Sequence, residues 1–153
     1  MAIYRLWNDT LNMTSKTQHK KVSMKVILDS NALFVPFQFK IDIFEALRAL
    51  LGRKFEPILL SPVKKELENI AKKGSPKMRK WAVYALALAE KCIFLDVKNE
   101  AVESPDDIIV EIAKKCDCLV FTNDRKLRKR LRDISVPVIY VRQKSRLEIN
   151  GRI

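Results

Sequence analysis

The sequence predicts a three-layer αβα fold with a central parallel sheet of five strands in the order 3-2-1-4-5. Short apolar runs of the kind that form buried strands alternate along the chain with segments of helical periodicity. This alternation is typical of parallel βαβ units joined by right-handed crossovers. The 153 residues, 48% of them hydrophobic, suffice for one domain with a single core.

Each predicted strand is a short apolar run. The five runs lie at residues 25–28, 57–60, 93–97, 118–121 and 138–141. Helices are predicted where apolar residues recur every three or four positions or where capping residues open a segment. They are expected at residues 41–51, 62–73, 76 to about 91, 105–115 and 125–133. Gly74 is expected to end the second of these helices.

Residues 1–23 differ in composition from the rest of the chain. Asn, Thr, Ser, Gln and Lys dominate there, around a short amphipathic patch of Ile3, Leu6 and Trp7. We expect this segment to be an N-terminal extension to a domain that spans residues 24–153. It could represent an alternative start or an arm that packs on a neighbour.

Composition narrows the classes of function. Lys and Arg number 30 against 18 Asp and Glu, which gives a net charge of +12. Binding to a phosphate-rich partner explains this charge better than a role in solubility alone. Three cysteines without a C-x-x-C motif argue against a disulfide framework or a zinc site, so a cytoplasmic protein is expected. No apolar stretch approaches the roughly 18 residues of a membrane span. The single histidine, His19, excludes most Ser/His/Asp and Cys/His chemistry.

Two acidic residues follow predicted strands. Asp29 ends the run Val26-Ile27-Leu28, and Asp124 comes shortly after the fourth strand. In open parallel sheets ligands bind beyond the carboxyl ends of the strands, where the strand order reverses. Each Asp could instead be a simple turn or cap residue, and Asn123 could share the capping role with Asp124.

Glu66 lies on the helix predicted at 62–73, and its position on that helix is informative. Val63, Leu67 and Ile70 form one apolar stripe. Glu66 borders this stripe and can reach inward, whereas Glu68 points away from it toward solvent.

Asp106 and Asp107 compete for one place in the site. Ser104 and Asp107 have the spacing of a capping box, which gives Asp107 a structural role. Asp106 lies nearer the apolar face of Ile109 and Ala113. We therefore assign Asp106 to the site and Asp107 to the cap, and the reverse assignment stays open.

Clustered carboxylates in a basic protein suggest a site for hard cations. Mg²⁺ and Mn²⁺ prefer carboxylate oxygens, and one or two such ions can assist phosphodiester hydrolysis. Without a cation, such carboxylates would repel one another. Ser30, Asn31 and Thr122 could donate hydrogen bonds that orient the carboxylates.

The order and spacing of these residues resemble the PIN-domain nuclease family. The resemblance rests on Val-Ile-Leu-Asp29-Ser-Asn-Ala-Leu, then Glu66, then Asp106, then Leu-Val-Phe-Thr122-Asn-Asp124, and it covers residues 24–142. It implies an αβα fold and Mg²⁺- or Mn²⁺-dependent cleavage of single-stranded RNA. The catalytic, metal-binding carboxylates would be Asp29, Glu66, Asp106 and Asp124, with polar support from Asn31 and Thr122.

The segment Thr122-Asn-Asp124-Arg-x-Leu-Arg-x-Arg, ending in Val-Pro-Val-Ile-Tyr140, is similar to the branch of the family linked to small-subunit ribosomal RNA processing in archaea and eukaryotes. The expected partner is then single-stranded RNA or a ribosomal RNA precursor. Bacterial-style toxin members of the family resemble the chain less well, and a toxin-type ribonuclease of a toxin–antitoxin pair stays an alternative. A non-catalytic RNA-binding assembly factor on the same fold is a further alternative.

Basic side chains provide candidate RNA contacts. They are Arg125, Arg128, Lys129 and Arg132 on the helix that follows Asp124, and Lys72 and Lys73 before Gly74. Such residues could also form a solvated helix face. Phe37 and Phe39 could stack on unpaired bases, although a core position or a homodimer surface is the more common role for such aromatics.

Overall fold

The computed structural model, which describes residues 23–98 and 104–153, contains a six-stranded sheet between two layers of helices. The strands are β1 (Met24–Leu28), β2 (Phe55–Leu60), β3 (Ile93–Leu95), β4 (Leu119–Phe121), β5 (Val138–Arg142) and β6 (Arg146–Asn150). The helices are α1 (Ser30–Phe39), α2 (Ile43–Leu51), α3 (Ser61–Lys73), α4 (Pro76–Ala89), α5 (Pro105–Lys115) and α6 (Arg125–Asp133). The predicted N-terminal extension lies outside the described residues, apart from Ser23.

The sheet order is β3-β2-β1-β4-β5-β6. The first five strands run parallel, and their predicted order is confirmed. The strand count was wrong, because β6 pairs antiparallel with β5 and adds a sixth strand. Its alternation of Leu147 and Ile149 with polar residues is typical of an edge strand. The turn before it lacks the Asn-Gly signal that usually marks a hairpin, so the sequence did not reveal it.

Helix α1 was also not predicted. Pro36 lies inside it, and proline inside a helix removes a backbone donor and usually ends the helix. Four hydrophobic residues of α1, from Ala32 to Val35, are nonetheless buried. The helix begins at the N-cap residue Asp29 and ends at Lys40, which has a left-handed φ of 56°. Burial of the apolar face therefore outweighs the loss of one backbone hydrogen bond.

Strand β1 lies at the centre of the sheet, between β2 and β4, and all five of its residues are buried. Each neighbouring strand buries its own apolar side chains against the same core, which includes Phe121 and Leu60. At the amino end of the sheet the one charged residue of β1, Lys25, pairs with Glu56 across the strands at 3.3 Å. No helix in the described ranges is long and apolar enough to cross a membrane.

Helix α6 is attached to the sheet by a narrow apolar stripe. Leu127 and Leu131 are its buried residues, and its other positions are largely charged. Since α6 begins directly after Asp124, these two leucines fix the position of the candidate site residue that precedes them.

We expect Leu127→Ala to lower the free energy of unfolding by about 2–5 kcal/mol, because it removes a fully buried side chain. Lys129→Ala, at an exposed position of the same helix, should change stability little. Urea denaturation of both variants gives the comparison. A cost below that of Lys129→Ala would contradict the packing of α6.

Candidate active site

The candidate site lies at the carboxyl edge of the sheet, where β1 and β4 end side by side. Asp29 follows β1 directly, and Thr122, Asn123 and Asp124 follow β4. The backbone N–H of Asp29 donates to the carbonyl oxygen of Phe121 at 3.0 Å, which joins the two strand ends. The strand order reverses between β1 and β4, so this is the switch point of the sheet.

The carboxylate of Asp29 is buried, with 4% of the residue exposed. Its Oδ1 accepts from the backbone N–H of Ser30 at 2.8 Å. Its Oδ2 accepts from Thr122 Oγ1 at 2.8 Å and from Asn31 Nδ2 at 3.0 Å. Three donors from two strand ends therefore fix one carboxylate in a single orientation.

The same side chains also hold the loop after β4. Thr122 Oγ1 accepts from the backbone N–H of Asp124 at 3.1 Å, and Asn31 Oδ1 accepts from that of Asn123 at 2.9 Å. Asn123 Oδ1 in turn accepts from the N–H of Val141 on β5 at 2.8 Å. The supporting residues thus link β1, β4 and β5 into one polar network.

Asp124 is the N-cap residue of α6. Its Oδ1 accepts from the backbone N–H groups of Lys126 at 2.8 Å and Leu127 at 3.4 Å. The capping role considered for Asp124 is therefore real. It uses one carboxylate oxygen, and Oδ2 has no hydrogen bond to any residue of the described ranges.

Glu66 reaches the site from α3. The hydroxyl of Ser30 donates to Glu66 Oε1 in a short hydrogen bond. Val63 and Leu67 are buried on the neighbouring stripe of α3, whereas Glu68 is exposed. The predicted facing of this helix is confirmed.

Asp107 caps α5, as the sequence predicted. Its Oδ2 accepts from the N–H of Ser104 at 3.3 Å, and its own N–H donates to Ser104 Oγ at 3.2 Å. A guanidinium nitrogen of Arg130 on α6 lies 2.9 Å from Asp107 Oδ1, and this ion pair connects α5 with α6. These hydrogen bonds and the guanidinium lower the pKa of Asp107. No pattern in the sequence indicated the role of Arg130, because its partner lies on a separate helix.

Asp106 is half-buried and lies within electrostatic range of Asp29 and Asp124. Burial raises its pKa, and the charges of Asp29 and Asp124 raise it further. The pKa of Asp29 is raised for the same two reasons. Burial raises its pKa above the ordinary value, the hydrogen bonds from Thr122 and Ser30 oppose this, and the charges of Glu66 and Asp124 add to it.

The four carboxylates of Asp29, Glu66, Asp106 and Asp124 therefore share one electrostatic neighbourhood. Within residues 23–98 and 104–153, however, no three His, Cys, Asp or Glu side chains converge closely enough to hold a metal ion. Carboxylates can raise one another's pKa while they are still too far apart to bind one ion, since charges interact over longer distances than coordination bonds. The donor set fits a hard divalent cation, which takes carboxylate oxygens and would relieve their mutual repulsion. The assignment of these four residues as ligands stays a prediction.

Most of the predicted RNA-contact residues lie on α6, the basic helix that begins after Asp124. Arg125, Lys129 and Arg132 are exposed on α6. Arg128 is half-buried, with its guanidinium carbon 3.8 Å from the ring centroid of Tyr140 on β5. The sequence placed Arg128 in a basic face but gave no sign of this stacking.

The remaining predicted contact residues lie farther along the helices. Lys72 and Lys73 are exposed in the last turn of α3, about 9 Å along the helix axis from Glu66. Phe37 and Phe39 are partly buried against the core, and the Phe37 ring lies 5.7 Å from that of Tyr84. Their packing favours the core role over base stacking.

The fold and this arrangement of acids define a class of protein, and comparison with known proteins agrees. Residues 26–144 match the family described as PIN like domain. The chain belongs to this family.

Individual relatives fall into two groups. The chain is 35% identical over 130 residues to ribonuclease VapC4 of Methanocaldococcus jannaschii, which covers 84% of this chain and 98% of that protein. It is 30% identical over 117 residues to the rRNA-processing protein fcf1 of Schizosaccharomyces pombe, which covers 76% of this chain and 58% of fcf1. The structure of the PIN domain endonuclease Utp24 aligns with a TM-score of 0.70 at 30% identity, over 84% of this chain and 92% of that one.

A further solved structure supports the fold alone. VapBC2 from Rickettsia felis, bound to a DNA fragment from its promoter, aligns with a TM-score of 0.58 at 16% identity. This alignment covers 78% of this chain and 100% of that one.

The two neighbouring acids of α5 should respond differently to neutralisation. Because the pKa of Asp106 is raised, its ionised form destabilises the folded state at neutral pH. We expect Asp106→Asn to raise the melting temperature in buffer with a chelator. Asp107→Asn should lower it, because a cap and the Arg130 pair are lost.

The sign of the pH dependence follows from the raised pKa. The penalty from ionised Asp106 is present above its folded-state pKa and disappears as the pH falls toward the ordinary value of 3.8. The gain from Asp106→Asn should therefore shrink in acid. Thermal unfolding of both variants between neutral and acid pH provides the measurement. Equal destabilisation by the two changes would contradict the assignment of Asp106 to the acidic group.

Proposed function

We propose that this protein is a metal-dependent endoribonuclease that cleaves phosphodiester bonds in single-stranded RNA. The observation that carries the proposal is the group of four electrostatically coupled carboxylates at the switch point of the sheet, beside a strongly basic helix. Relatives named as a ribonuclease and as an endonuclease support it.

In this proposal Asp29, Glu66, Asp106 and Asp124 hold one or two Mg²⁺ or Mn²⁺ ions. When bound, such ions supply charge stabilisation on the phosphodiester and a water nucleophile at neutral pH. Thr122 and Asn31 fix the orientation of the Asp29 carboxylate. The first turn of α6 fixes Asp124 through one oxygen, and Ser30 positions Glu66.

The basic side chains bind the RNA backbone. Because α6 begins at Asp124, Arg125 and Lys129 on its first turns bring positive charge to the edge of the acidic site. Contacts of this type carry little sequence information, so they position the strand while the carboxylates act on one bond. Lys72 and Lys73 would extend the same binding beyond Glu66.

We assign ribosomal RNA precursors as the substrate. The similarity to fcf1, whose name describes rRNA processing, and the Utp24 alignment over 92% of that chain support this choice. Assembly factors on the precursor would then be the protein partners.

A second candidate is a toxin-type ribonuclease that an antitoxin neutralises. The similarity to ribonuclease VapC4 favours it, because the alignment covers 98% of that protein at 35% identity. Induced expression in a bacterial host separates the two. A toxin should arrest growth and degrade cellular RNA, and its Asp29→Asn variant should not. A processing enzyme should leave growth unchanged.

Cleavage of a labelled single-stranded RNA tests the activity itself. Wild-type protein should cut it with Mn²⁺ or Mg²⁺ and not with EDTA. Asp29→Asn and Asp106→Asn should each reduce the rate by orders of magnitude, because each removes a charge from the proposed cation site. Asp107→Asn is the matched control and should cut at nearly the wild-type rate. Full activity in EDTA, or loss of activity in Asp107→Asn alone, would overturn the proposal.

The supporting hydroxyl can be tested separately. Thr122→Val keeps the shape of the buried side chain and removes the donor to Asp29 Oδ2. We expect a loss of about 10- to 100-fold in cleavage rate or in Mn²⁺ affinity. Thr122→Ser retains the hydroxyl and should keep most of the activity. Equal rates for the Val and Ser variants would show that the hydroxyl does not position Asp29.

A further inference from the structure

The β5–β6 hairpin stands at the same edge of the sheet as the acidic site. Strand β5 runs parallel to β1 and β4, so its carboxyl end and the turn after it lie where Asp29 and Asp124 lie. Its last pairing with β4 joins Ile139 to Phe121. Strand β5 then continues to Arg142, about 10 Å farther. The hairpin therefore extends past the site on the β5 side.

Hydrogen bonds and stacking tie this extension to the site. Asn123, next to Asp124, accepts from the backbone N–H of Val141. The Arg128 guanidinium of α6 lies over the Tyr140 ring, and the Tyr140 hydroxyl donates to Glu148 at 3.2 Å. A continuous surface thus runs from the first turns of α6 to the hairpin.

The end of the hairpin concentrates positive charge. Arg142 and Arg146 are directly opposite each other in the ladder, and like charges in that position are destabilising. Glu148 pairs with both guanidinium groups, each at 3.2 Å. Lys144 in the turn adds a third cation, so the three cations and one carboxylate of this hairpin end give a local charge of +2 among the described residues.

The backbone of the turn is also unfavourable for its residues. Gln143 and Lys144 have positive φ values of 52° and 56°, and the Ser145 N–H donates to the Arg142 carbonyl at 3.2 Å. Tight hairpin turns with two positive φ values strongly favour Asn-Gly and similar pairs. A lysine in this conformation is strained, so the geometry of the turn does not account for the presence of lysine there.

We infer that the β5–β6 hairpin, through Arg142, Lys144 and Arg146, is a binding site for the phosphate backbone of the single-stranded RNA that flanks the cleaved bond. This inference rests on the proposed ribonuclease function. The hairpin lies past the acidic site, has a local excess of two positive charges, and places Lys144 at a positive φ that favours other residue types. A polyanion supplies the missing countercharge.

The test compares two triple variants with equal loss of charge. The first is Arg142→Gln, Lys144→Gln, Arg146→Gln in the hairpin. The second is Arg53→Gln, Lys54→Gln, Lys114→Gln, at exposed positions before the amino ends of β2 and β4, at the opposite edge of the sheet from the site. Both are made in an Asp29→Asn background so that the RNA stays intact. Binding of a single-stranded RNA of about 20 nucleotides is measured by fluorescence anisotropy across a salt series.

The hairpin variant should bind at least about tenfold more weakly at low salt, and the slope of log affinity against log salt should fall by about 2. The opposite-edge variant should keep nearly the parent slope. Equal effects of the two variants would reduce the hairpin to a contributor to net charge and overturn the inference, as would an unchanged slope in the hairpin variant.

A single change, Lys144→Gly, guards against loss of folding. Glycine suits the positive φ, so the melting temperature should stay the same or rise, while the salt slope should fall by about 0.7. An unchanged slope in this variant would also count against the hairpin.

The experiments distinguish a wrong inference about RNA binding by the hairpin from a wrong proposal of ribonuclease activity. With Asp29 restored, the hairpin triple variant should cleave at the wild-type kcat and a raised KM. Absence of cleavage by the wild type would remove the ribonuclease proposal, while the binding comparison would still report on the hairpin.

Discussion

The hydrogen bond from Thr122 Oγ1 to Asp29 Oδ2 joins the two strand ends on which the site is built. A buried carboxylate is costly to ionise unless donors compensate it, and here the donors come from residues that the neighbouring strand ends bring together. The parallel pairing of β1 with β4 makes that contact possible, and Asn123 extends it to β5. The backbone N–H of Asp124, the N-cap residue of α6, also donates to Thr122 Oγ1, so α6 and the β5 strand of the hairpin are both connected to this junction.

Hydrogen bonds stabilise the folded site, whereas repulsion among its ionised carboxylates destabilises it. Burial and neighbouring carboxylates raise the pKa values of Asp29 and Asp106, so the ionised acids work against folding. Cations are plentiful nearby, but Arg130 pairs with Asp107 and Arg128 stacks on Tyr140. Among these cations Arg130 lowers the pKa of Asp106, but this effect is smaller than that of burial and the neighbouring carboxylates, so the pKa stays raised. This separation of charge suits a reaction in which an anionic strand approaches basic side chains while divalent cations bind the carboxylates.

Much of this could be predicted from sequence because the patterns were local. Apolar runs indicated the five parallel strands, the predicted strand order is confirmed, and the capping box identified Asp107 as the cap residue. What the sequence did not reveal depends on tertiary context. Helix α1 forms despite Pro36, because its apolar face is buried, and β6 follows a turn whose residues do not favour it. The Arg130–Asp107 and Arg128–Tyr140 contacts join separate elements, so no local pattern indicated them.

Binding of Mn²⁺ tests most directly whether the four carboxylates form one cation site. Isothermal titration calorimetry on the wild type should detect one or two bound ions, and Asp29→Asn and Asp106→Asn should each weaken that binding. Asp107→Asn should bind as the wild type does, since its carboxylate is engaged by Ser104 and Arg130. Mn²⁺ affinity that is unchanged in both site variants, or lost only in Asp107→Asn, would contradict a shared site at the ends of β1 and β4.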